Sequence, residues 1–339
     1  MTLPNQGTLR FAARFPAEQA AAFYRNVQGL TVSNIGIGTY LGEMDAATDQ
    51  GYQEAVGAAV GAGVNFIDTS LNYRNQRSER SIGAALAQIA RDEIVVCTKA
   101  GYLAPDAVPT EILNAGDVVG GMHSMAPAFL RDQLDRSLQN MGLQSVDVFY
   151  LHNPETQLAY ISETDFLGRV RQAFQALEQM AAQGKIGYYG TATWQGYRHP
   201  GPAREALSLQ SLEAIAREIA GHAHRFRFIQ LPFNLAMPEA FVNRVNGESV
   251  LQAAARLGIS VVASASLYQA RLSRNLPDEI RAKTPGAQTD AQRAIQFVRS
   301  TPGIAVALAG MSRVAHVREN LGLAKIPPLD DDQYQSLYT

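Results

Sequence analysis

The sequence alternates short apolar runs with stretches in which apolar residues recur at helical spacing, and this alternation limits the folds open to it. The apolar runs are continuous, which is typical of parallel strands that are buried on both faces. We predict eight strands, at residues 32–38, 65–69, 93–100, 146–151, 186–194, 226–234, 260–267 and 303–311. A helix is predicted after each strand, at residues 52–61, 82–89, 130–141, 170–177, 209–220, 250–257, 291–298 and 314–321.

Eight strand–helix units over about 300 residues are typical of a closed (β/α)8 barrel, the TIM barrel. The alternative is an open, doubly wound sheet, which normally binds dinucleotides at a glycine-rich turn that opens its first helix. Gly36-Ile37-Gly38 lacks the third glycine of that fingerprint, so the barrel is favoured. Because no linker-like change of composition divides the chain, we predict a single domain over residues 1–339, with a barrel core from about 30 to 323.

Some segments depart from the repeat. Before the barrel, residues 8–15 could form a strand and residues 18–27 a short helix. Residues 102–125 and 268–288 have no clear period, and residues 195–207 form a loop that contains glycine and proline. Long irregular segments in compact domains are often lids or binding loops. In a barrel these segments would follow strands, at the C-terminal face where active sites lie.

The charge balance argues against several classes of partner. The formal net charge is -2, with 46% hydrophobic and 18% charged residues and no basic stripe, so neither nucleic acid nor an anionic membrane is an expected partner. Cys97 is the single cysteine, so no intrachain disulfide can form, which fits a reducing compartment. No secretory signal and no membrane-spanning run is recognised, so we expect a cytoplasmic protein. We predict no metal site and leave the oligomeric state open.

Four reactive side chains stand at the ends of three predicted strands. Asp68 and Tyr73 follow one strand, Lys99 ends the next, and His152 ends the one after that. A nearby ammonium lowers the pKa of a phenol, and a carboxylate keeps the ammonium charged. A neighbouring imidazole can orient a carbonyl oxygen or pass a proton. Each residue alone would more often be structural, a helix cap in the case of the aspartate, but together they indicate a proton-transfer site.

Two stretches around these residues resemble the signatures of the aldo-keto reductases. The first is Asn-Phe-Ile-Asp-Thr-Ser-Leu-Asn-Tyr at residues 65–73, followed by Ser78-Glu79. The second runs through residues 130–142 and continues into the strand that ends at His152. The resemblance extends from about residue 30 to residue 323. It implies a reductase in which a nicotinamide cofactor gives hydride to the carbonyl carbon of an aldehyde or ketone.

The same resemblance assigns a role to each reactive residue. Tyr73 would be the general acid (or the general base in the reverse direction), and Lys99 would lower its pKa. Asp68 would pair with Lys99, and His152 would orient the substrate oxygen. Substrate contacts would come from Tyr73, His152, Trp194 and Tyr102.

The resemblance further implies NADP(H) as the cofactor, with NAD(H) as a possibility. Two departures affect the nicotinamide contacts. Ala192 stands where the family usually has serine, and Ser264 where an aromatic ring usually stacks; a ring could instead come from Tyr268 or Trp194. The implied cofactor contacts are Gly38, Thr39, Tyr40, Asp68, Thr193, Gln230, Ser264, Leu267, Gly310, Ser312, Arg313, His316, Glu319 and Asn320.

Three functions remain open at this point. The first is an NADP(H)-dependent carbonyl reductase or alcohol dehydrogenase. The second is a nucleotide-binding or regulatory protein of the same family with little turnover, like the channel-associated β subunits. The third, a barrel isomerase or lyase without nicotinamide, would not need Gln230 together with the Glu319-Asn320 pair. Tyr102, Leu103 and Met122 predict a partly apolar substrate pocket, and His123 is expected to be solvated.

Overall fold

Eight parallel strands form a closed barrel in the computed structural model, which describes residues 5–199 and 204–338. Each strand pairs with the next along the chain, and the last pairs with the first, so the predicted barrel is confirmed and the open sheet is wrong. The strands are β1 Ile35–Gly38, β2 Phe66–Asp68, β3 Val95–Ala100, β4 Val146–His152, β5 Ile186–Ala192, β6 Phe226–Pro232, β7 Ser260–Ser264 and β8 Ile304–Gly310.

A helix follows each strand and packs outside the barrel. The helices are α1 Ala46–Gly61, α2 Arg77–Leu86, α3 Pro127–Met141, α4 Glu163–Ala182, α5 Leu209–Ala220, α6 Val250–Arg256, α7 Asp290–Ser300 and α8 Val314–Asn320. Several begin at a polar residue whose side chain accepts a backbone N–H of the first turn, as Asp45 does for α1 and Ser162 for α4. Helices outside the barrel repeat are Asn5–Ala12, Ala17–Phe23, Glu239–Val242, Asp278–Ala282 and Asp331–Ser336.

The N-terminal segment differs from the prediction. The strand predicted at residues 8–15 is wrong, because this segment contributes to the helix Asn5–Ala12. Its buried residues, Thr8, Phe11 and Ala12, recur at helical rather than strand spacing. The helix predicted at residues 18–27 is shorter, Ala17–Phe23, since the chain then enters a strand.

A β-hairpin precedes β1 in the chain. Its second strand, Leu30–Ser33, and β1 together replace the single strand predicted at residues 32–38. Tyr24–Val27 pairs antiparallel with Leu30–Ser33 across a two-residue turn with positive φ. From that turn, Gln28 donates hydrogen bonds to the Gly258 carbonyl and the Ser260 hydroxyl, each at 2.9 Å, at the start of β7. The hairpin therefore covers the N-terminal end of the barrel and leaves the C-terminal end for a site.

The long loops lie at the C-terminal face, as predicted. Residues 102–125 follow β3 and contain a short hairpin, Val118–Val119 paired with His123–Ser124. Residues 268–288 follow β7 and contain the helix Asp278–Ala282. Residues 200–203 of the predicted loop after β5 lie outside the described part of the chain. Within the described ranges, no helix combines the length and hydropathy needed to cross a membrane.

Close packing between β5 and β6 requires a glycine. A Cβ atom at Gly190 would lie 1.9 Å from the Phe228 carbonyl oxygen, and a backbone atom cannot rotate away as a side chain can. We expect Gly190→Ala to lower the free energy of unfolding by about 1–3 kcal/mol or more. Urea unfolding measures this.

A matched control is Gly168→Ala on the exposed face of α4, where an added Cβ meets nothing within 4 Å. This change is expected to raise stability by about 0.5–1 kcal/mol, because glycine is a poor helix former. A Gly190→Ala protein as stable as wild type would contradict the packing described for these two strands.

Candidate active site

The barrel brings the four predicted reactive side chains to its C-terminal end. Asp68 is the last residue of β2, Lys99 lies near the end of β3, and His152 is the last residue of β4. Tyr73 lies in the turn that joins β2 to α2. Because neighbouring parallel strands end at the same edge, residues far apart in sequence meet here.

A buried ion pair forms the base of this group. Lys99 Nζ lies 2.6 Å from Asp68 Oδ1 and also donates to the Thr69 carbonyl at 2.7 Å. Gln230 of β6 donates to the second oxygen, Asp68 Oδ2, at 2.8 Å. Burial alone would lower the pKa of Lys99, but the charge and hydrogen bond of Asp68 help to outweigh it, and the pKa lies above its ordinary value. Lys99 therefore stays an ammonium at neutral pH.

Tyr73 lies directly above this pair. The Lys99 ammonium is 4.9 Å from the centroid of the Tyr73 ring. Burial raises the pKa of Tyr73 because it disfavours the phenolate, and the nearby Lys99 only partly offsets this rise. Lys99 thus acts in the predicted direction, but burial has the larger effect and the net shift of the Tyr73 pKa is upward. The phenol keeps its proton at neutral pH and can act as a donor.

His152 is a neutral imidazole. Burial lowers its pKa well below the ordinary value, and Lys99 and His123 lower it further. Its Nδ1 atom lies 3.1 Å from the Ser70 hydroxyl. Its ring meets those of Tyr73 and Tyr102 edge to face, at centroid distances of 5.7 and 5.2 Å. With Nδ1 engaged, Nε2 is the ring nitrogen that remains for the cleft lined by His152.

A cleft of about 460 Å³ opens above these residues. It includes most of the predicted cofactor and substrate positions, whereas Lys99 lies beneath it, bonded to Asp68. The predicted residues that line it are Gly38, Thr39, Tyr40, Asp68, Tyr73, Tyr102, His152, Thr193, Trp194, Gln230, Ser264, Leu267 and Gly310.

The remaining predicted positions do not line this cleft. They lie beyond Gly310, where β8 leads into α8. The set comprises Ser312, Arg313, His316, Glu319 and Asn320, of which Arg313, His316 and Glu319 are exposed and Asn320 is buried. A ligand must therefore extend past Gly310 to reach them. Of the expected apolar pocket residues, Leu103 and Met122 also lie outside the cleft lining.

The family of the chain follows from comparison with known proteins. The model of the "Aldo/keto reductase family" matches residues 34–338. The chain belongs to the aldo/keto reductase family. This match confirms the resemblance read from the two sequence signatures, and with it the expected class, an oxidoreductase.

Curated relatives match the chain over different lengths. D-threo-aldose 1-dehydrogenase from a Pseudomonas species is 29% identical over 179 residues, which is 50% of this chain and 51% of that protein. The probable voltage-gated potassium channel subunit beta of Arabidopsis thaliana is 21% identical over 332 residues, which is 90% of this chain and 92% of that protein. The chain thus spans about half of the first relative and most of the second.

Solved structures of aldo-keto reductases share the fold. The Klebsiella pneumoniae enzyme in complex with NADP and acetate superposes with a TM-score of 0.67 at 21% identity, over 93% of this chain and 94% of that one. The holo form of an aldo-keto reductase from Bacillus halodurans gives a TM-score of 0.67 at 19% identity, over 94% and 95% of the two chains.

The cleft has one unpartnered polar group and open space that suit a dinucleotide. Ser266 Oγ lies in the cleft, is buried and has no hydrogen-bond partner among the described residues. A Cβ at Gly310 would meet nothing within 4 Å, so the chain leaves open space at the end of β8. Ser264 lines the cleft as predicted, and Trp194 supplies an aromatic ring there. Tyr268 does not line the cleft. The Ser266 hydroxyl, the open space at Gly310 and the Trp194 ring therefore fit a nicotinamide dinucleotide.

Several residues of this region, among them Asn153 and Glu155, escaped the sequence-based prediction. Asn153 lines the cleft in a left-handed conformation and donates to the Tyr102 hydroxyl at 3.0 Å. Its position directly after His152, and the tolerance of asparagine for this conformation, were usable signals. Glu155 is buried and accepts the backbone N–H groups of Trp194 at 2.7 Å and Gln195 at 3.0 Å. A contact across some forty positions gives no local sequence signal.

His123 is buried, so the expectation that it is solvated is wrong. Its Nε2 lies 2.8 Å from the His152 carbonyl oxygen, which can only accept. Its Nδ1 lies 3.2 Å from Gln157 Nε2, whose amide oxygen accepts from Arg169 at 3.3 Å. These partners define a neutral ring with its proton on Nε2, and burial lowers the pKa of His123 to about 4. His123 thereby ties the loop after β3 to the end of β4.

This burial predicts acid sensitivity. An unfolded His123 has its ordinary pKa of 6.5, and the folded one has a pKa of about 4, so the unfolded chain binds more protons between these values. The contribution of His123 to the free energy of unfolding is then fully present above pH 6.5. It falls by on the order of 3 kcal/mol as the pH is lowered to 4. The lowered pKa of His152 acts in the same direction.

Urea unfolding at several pH values tests this contribution. We expect His123→Gln to lose less stability than wild type between pH 6.5 and 4.5, whatever its stability at pH 7. His222→Gln, at an exposed position, should retain the wild-type pH dependence. Identical pH dependence in wild type and His123→Gln would refute the assignment.

Proposed function

We propose that this chain is an NADP(H)-dependent carbonyl reductase that works as a single domain and reduces an aldehyde or ketone to an alcohol, or the reverse. The observation that carries the proposal is the buried Lys99–Asp68 pair at 2.6 Å beneath Tyr73. A buried ammonium next to a phenol suits proton donation, because it stabilises the phenolate that forms as the proton leaves.

Each residue of the group has one task in this proposal. Bound NADP(H) would supply the hydride that the carbonyl carbon accepts. Tyr73 gives its phenolic proton to the carbonyl oxygen, and Lys99 stabilises the resulting phenolate. Asp68 keeps Lys99 charged and in place. His152 remains neutral and orients the carbonyl oxygen toward Tyr73.

The cofactor would lie along the cleft and continue over the start of α8. NADP(H) is supported by the NADP complex of the similar Klebsiella protein. NAD(H) stays in the test because a relative from Escherichia coli, 26% identical over 171 residues, is an NADH-specific methylglyoxal reductase. We assign to the cofactor Gly38, Thr39, Tyr40, Asp68, Thr193, Gln230, Ser264, Leu267, Gly310, Ser312, Arg313, His316, Glu319 and Asn320.

The substrate is proposed to be an uncharged carbonyl compound. Aromatic rings of Tyr73, Tyr102 and Trp194 line the cleft together with His152. None of the described residues that line it is a lysine or an arginine. Without such a cation, a substrate carboxylate would lose its hydration and gain no charged partner among these residues. A neutral aldehyde or ketone pays no such penalty.

A second candidate is a nucleotide-binding regulatory protein with little turnover. The similarity to the Arabidopsis potassium channel subunit over most of both chains favours it. Ala192 and Ser264 also depart from the usual nicotinamide contacts. However, the loss of one neutral hydrogen bond costs only about 1 kcal/mol, which weakens binding without abolishing it.

Nucleotide titration followed by turnover distinguishes the two. We expect protein fluorescence to change and to reach saturation as NADPH is added. NADPH should then be oxidised when a neutral aldehyde is added. Benzaldehyde should be reduced faster than 4-carboxybenzaldehyde. Tyr73→Phe should abolish reduction and leave NADPH affinity nearly unchanged, since the hydroxyl serves the chemistry.

Three outcomes would count against the proposed reductase. If neither NADPH nor NADH binds, the proposal is wrong. Binding without turnover on any aldehyde or ketone would favour the regulatory protein. A Tyr73→Phe protein with wild-type turnover would remove Tyr73 from the role of general acid.

A further inference from the structure

The hydroxyl of Ser70 is the hydrogen-bond partner of His152 Nδ1 in the described part of the chain, at 3.1 Å. Ser70 is fully buried and lies between the end of β2 and Tyr73. Two further oxygen atoms lie near its hydroxyl: Asn72 Oδ1 at 2.7 Å and the Lys99 carbonyl oxygen at 3.2 Å. A hydroxyl has one proton to donate, so it can serve only one of these three neighbours as donor.

The choice of neighbour decides which nitrogen of His152 carries the proton. If Ser70 donates to Nδ1, the proton of the neutral imidazole is on Nε2. If Ser70 donates to Lys99 or Asn72 instead, Nδ1 must carry the proton and donate to Ser70, and Nε2 has only a lone pair. As placed, Asn72 presents its amide oxygen Oδ1 to Ser70, and this oxygen can only accept. Ser70 can donate to Nδ1 when the Asn72 amide is turned end for end, which exchanges its oxygen and nitrogen and moves no other heavy atom.

The proposed reaction is compatible with one of the two. A carbonyl oxygen in the cleft accepts hydrogen bonds and cannot donate them, so His152 can orient it only with a proton on Nε2. The Lys99 carbonyl also has another donor, the Leu71 backbone N–H at 3.4 Å. The Asn72 side chain borders the cleft, and with its amide turned so that the nitrogen faces Ser70 it can donate to the Ser70 oxygen.

We propose that Ser70 is a positioning residue that fixes the tautomer of His152, through a chain in which Asn72 donates to Ser70, Ser70 donates to Nδ1, and the Nε2 proton faces the substrate. The proposal rests on the carbonyl-reductase function, because that function requires a donor at Nε2. Ser70 itself does not line the cleft, so it acts through His152 and not by touching the substrate.

The first measurement is the tautomer itself, in the wild-type resting protein. A protonated ring nitrogen and a bare one differ widely in ¹⁵N chemical shift, so ¹⁵N-histidine labelling reports both nitrogens. The sequence contains six histidines, and comparison with a His152→Asn sample assigns the signals of His152. We expect Nε2 to be protonated and Nδ1 to be bare. A proton on Nδ1 in the wild-type protein would overturn the proposal.

The second measurement removes the hydroxyl. In Ser70→Ala, His152 should lose its single tautomer, and kcat for a neutral aldehyde should fall at least about tenfold, since a misplaced imidazole proton is costly in other enzymes. NADPH affinity should stay near the wild-type value. Ser70→Thr, which keeps the hydroxyl, should restore both the tautomer and most of kcat.

The control is Ser81→Ala in α2, another buried serine, whose hydroxyl donates to the Arg77 carbonyl at 2.9 Å. It should change neither the His152 signals nor kcat. An unchanged tautomer or an unchanged kcat in Ser70→Ala would contradict the proposed role. Because the tautomer is read without substrate, a protein that reduces no aldehyde would sink the proposed function but would still reveal where Ser70 places the proton.

Discussion

The Lys99–Asp68 ion pair is the interaction on which the site depends. Removing two charges from water costs more than their attraction returns unless hydrogen bonds satisfy the remaining donors and acceptors. Here the Thr69 carbonyl accepts from Lys99, and Gln230 donates to Asp68. Gln230 comes from β6, which is not a neighbour of β2 in the barrel. The pair is thus satisfied only when the barrel is closed, so the fold and the chemistry share one requirement.

This pair also explains why a buried tyrosine can serve as a proton donor. Burial and the ammonium act on Tyr73 in opposite directions, and burial has the larger effect. The phenol consequently remains protonated in the resting protein, while Lys99 stands ready to stabilise the phenolate. A buried, neutral His152 adds a hydrogen-bonding group without a second positive charge next to Lys99. The site therefore combines one fixed charge with two neutral groups that can contact a carbonyl oxygen.

The sequence was sufficient to predict those features that repeat or that follow a strand. The barrel follows from continuous apolar runs, and Asp68, Lys99 and His152 follow from the strand ends. Features that depend on contacts between distant segments were not predictable. The burial of His123 depends on its bond to the His152 carbonyl across 29 positions, and the bond of Gln230 to Asp68 spans 162. Neither leaves a local pattern of spacing or composition.

Hydride transfer itself provides the most direct test of the account. The wild-type protein can be incubated with NADPH in which both hydrogens at C4 of the nicotinamide are replaced by deuterium, together with a neutral aldehyde, and the alcohol analysed by mass spectrometry. We predict one deuterium on the carbinol carbon with wild type and no labelled alcohol with Tyr73→Phe. Binding of NADPH to the wild-type protein without any labelled alcohol, across a range of aldehydes and ketones, would contradict it.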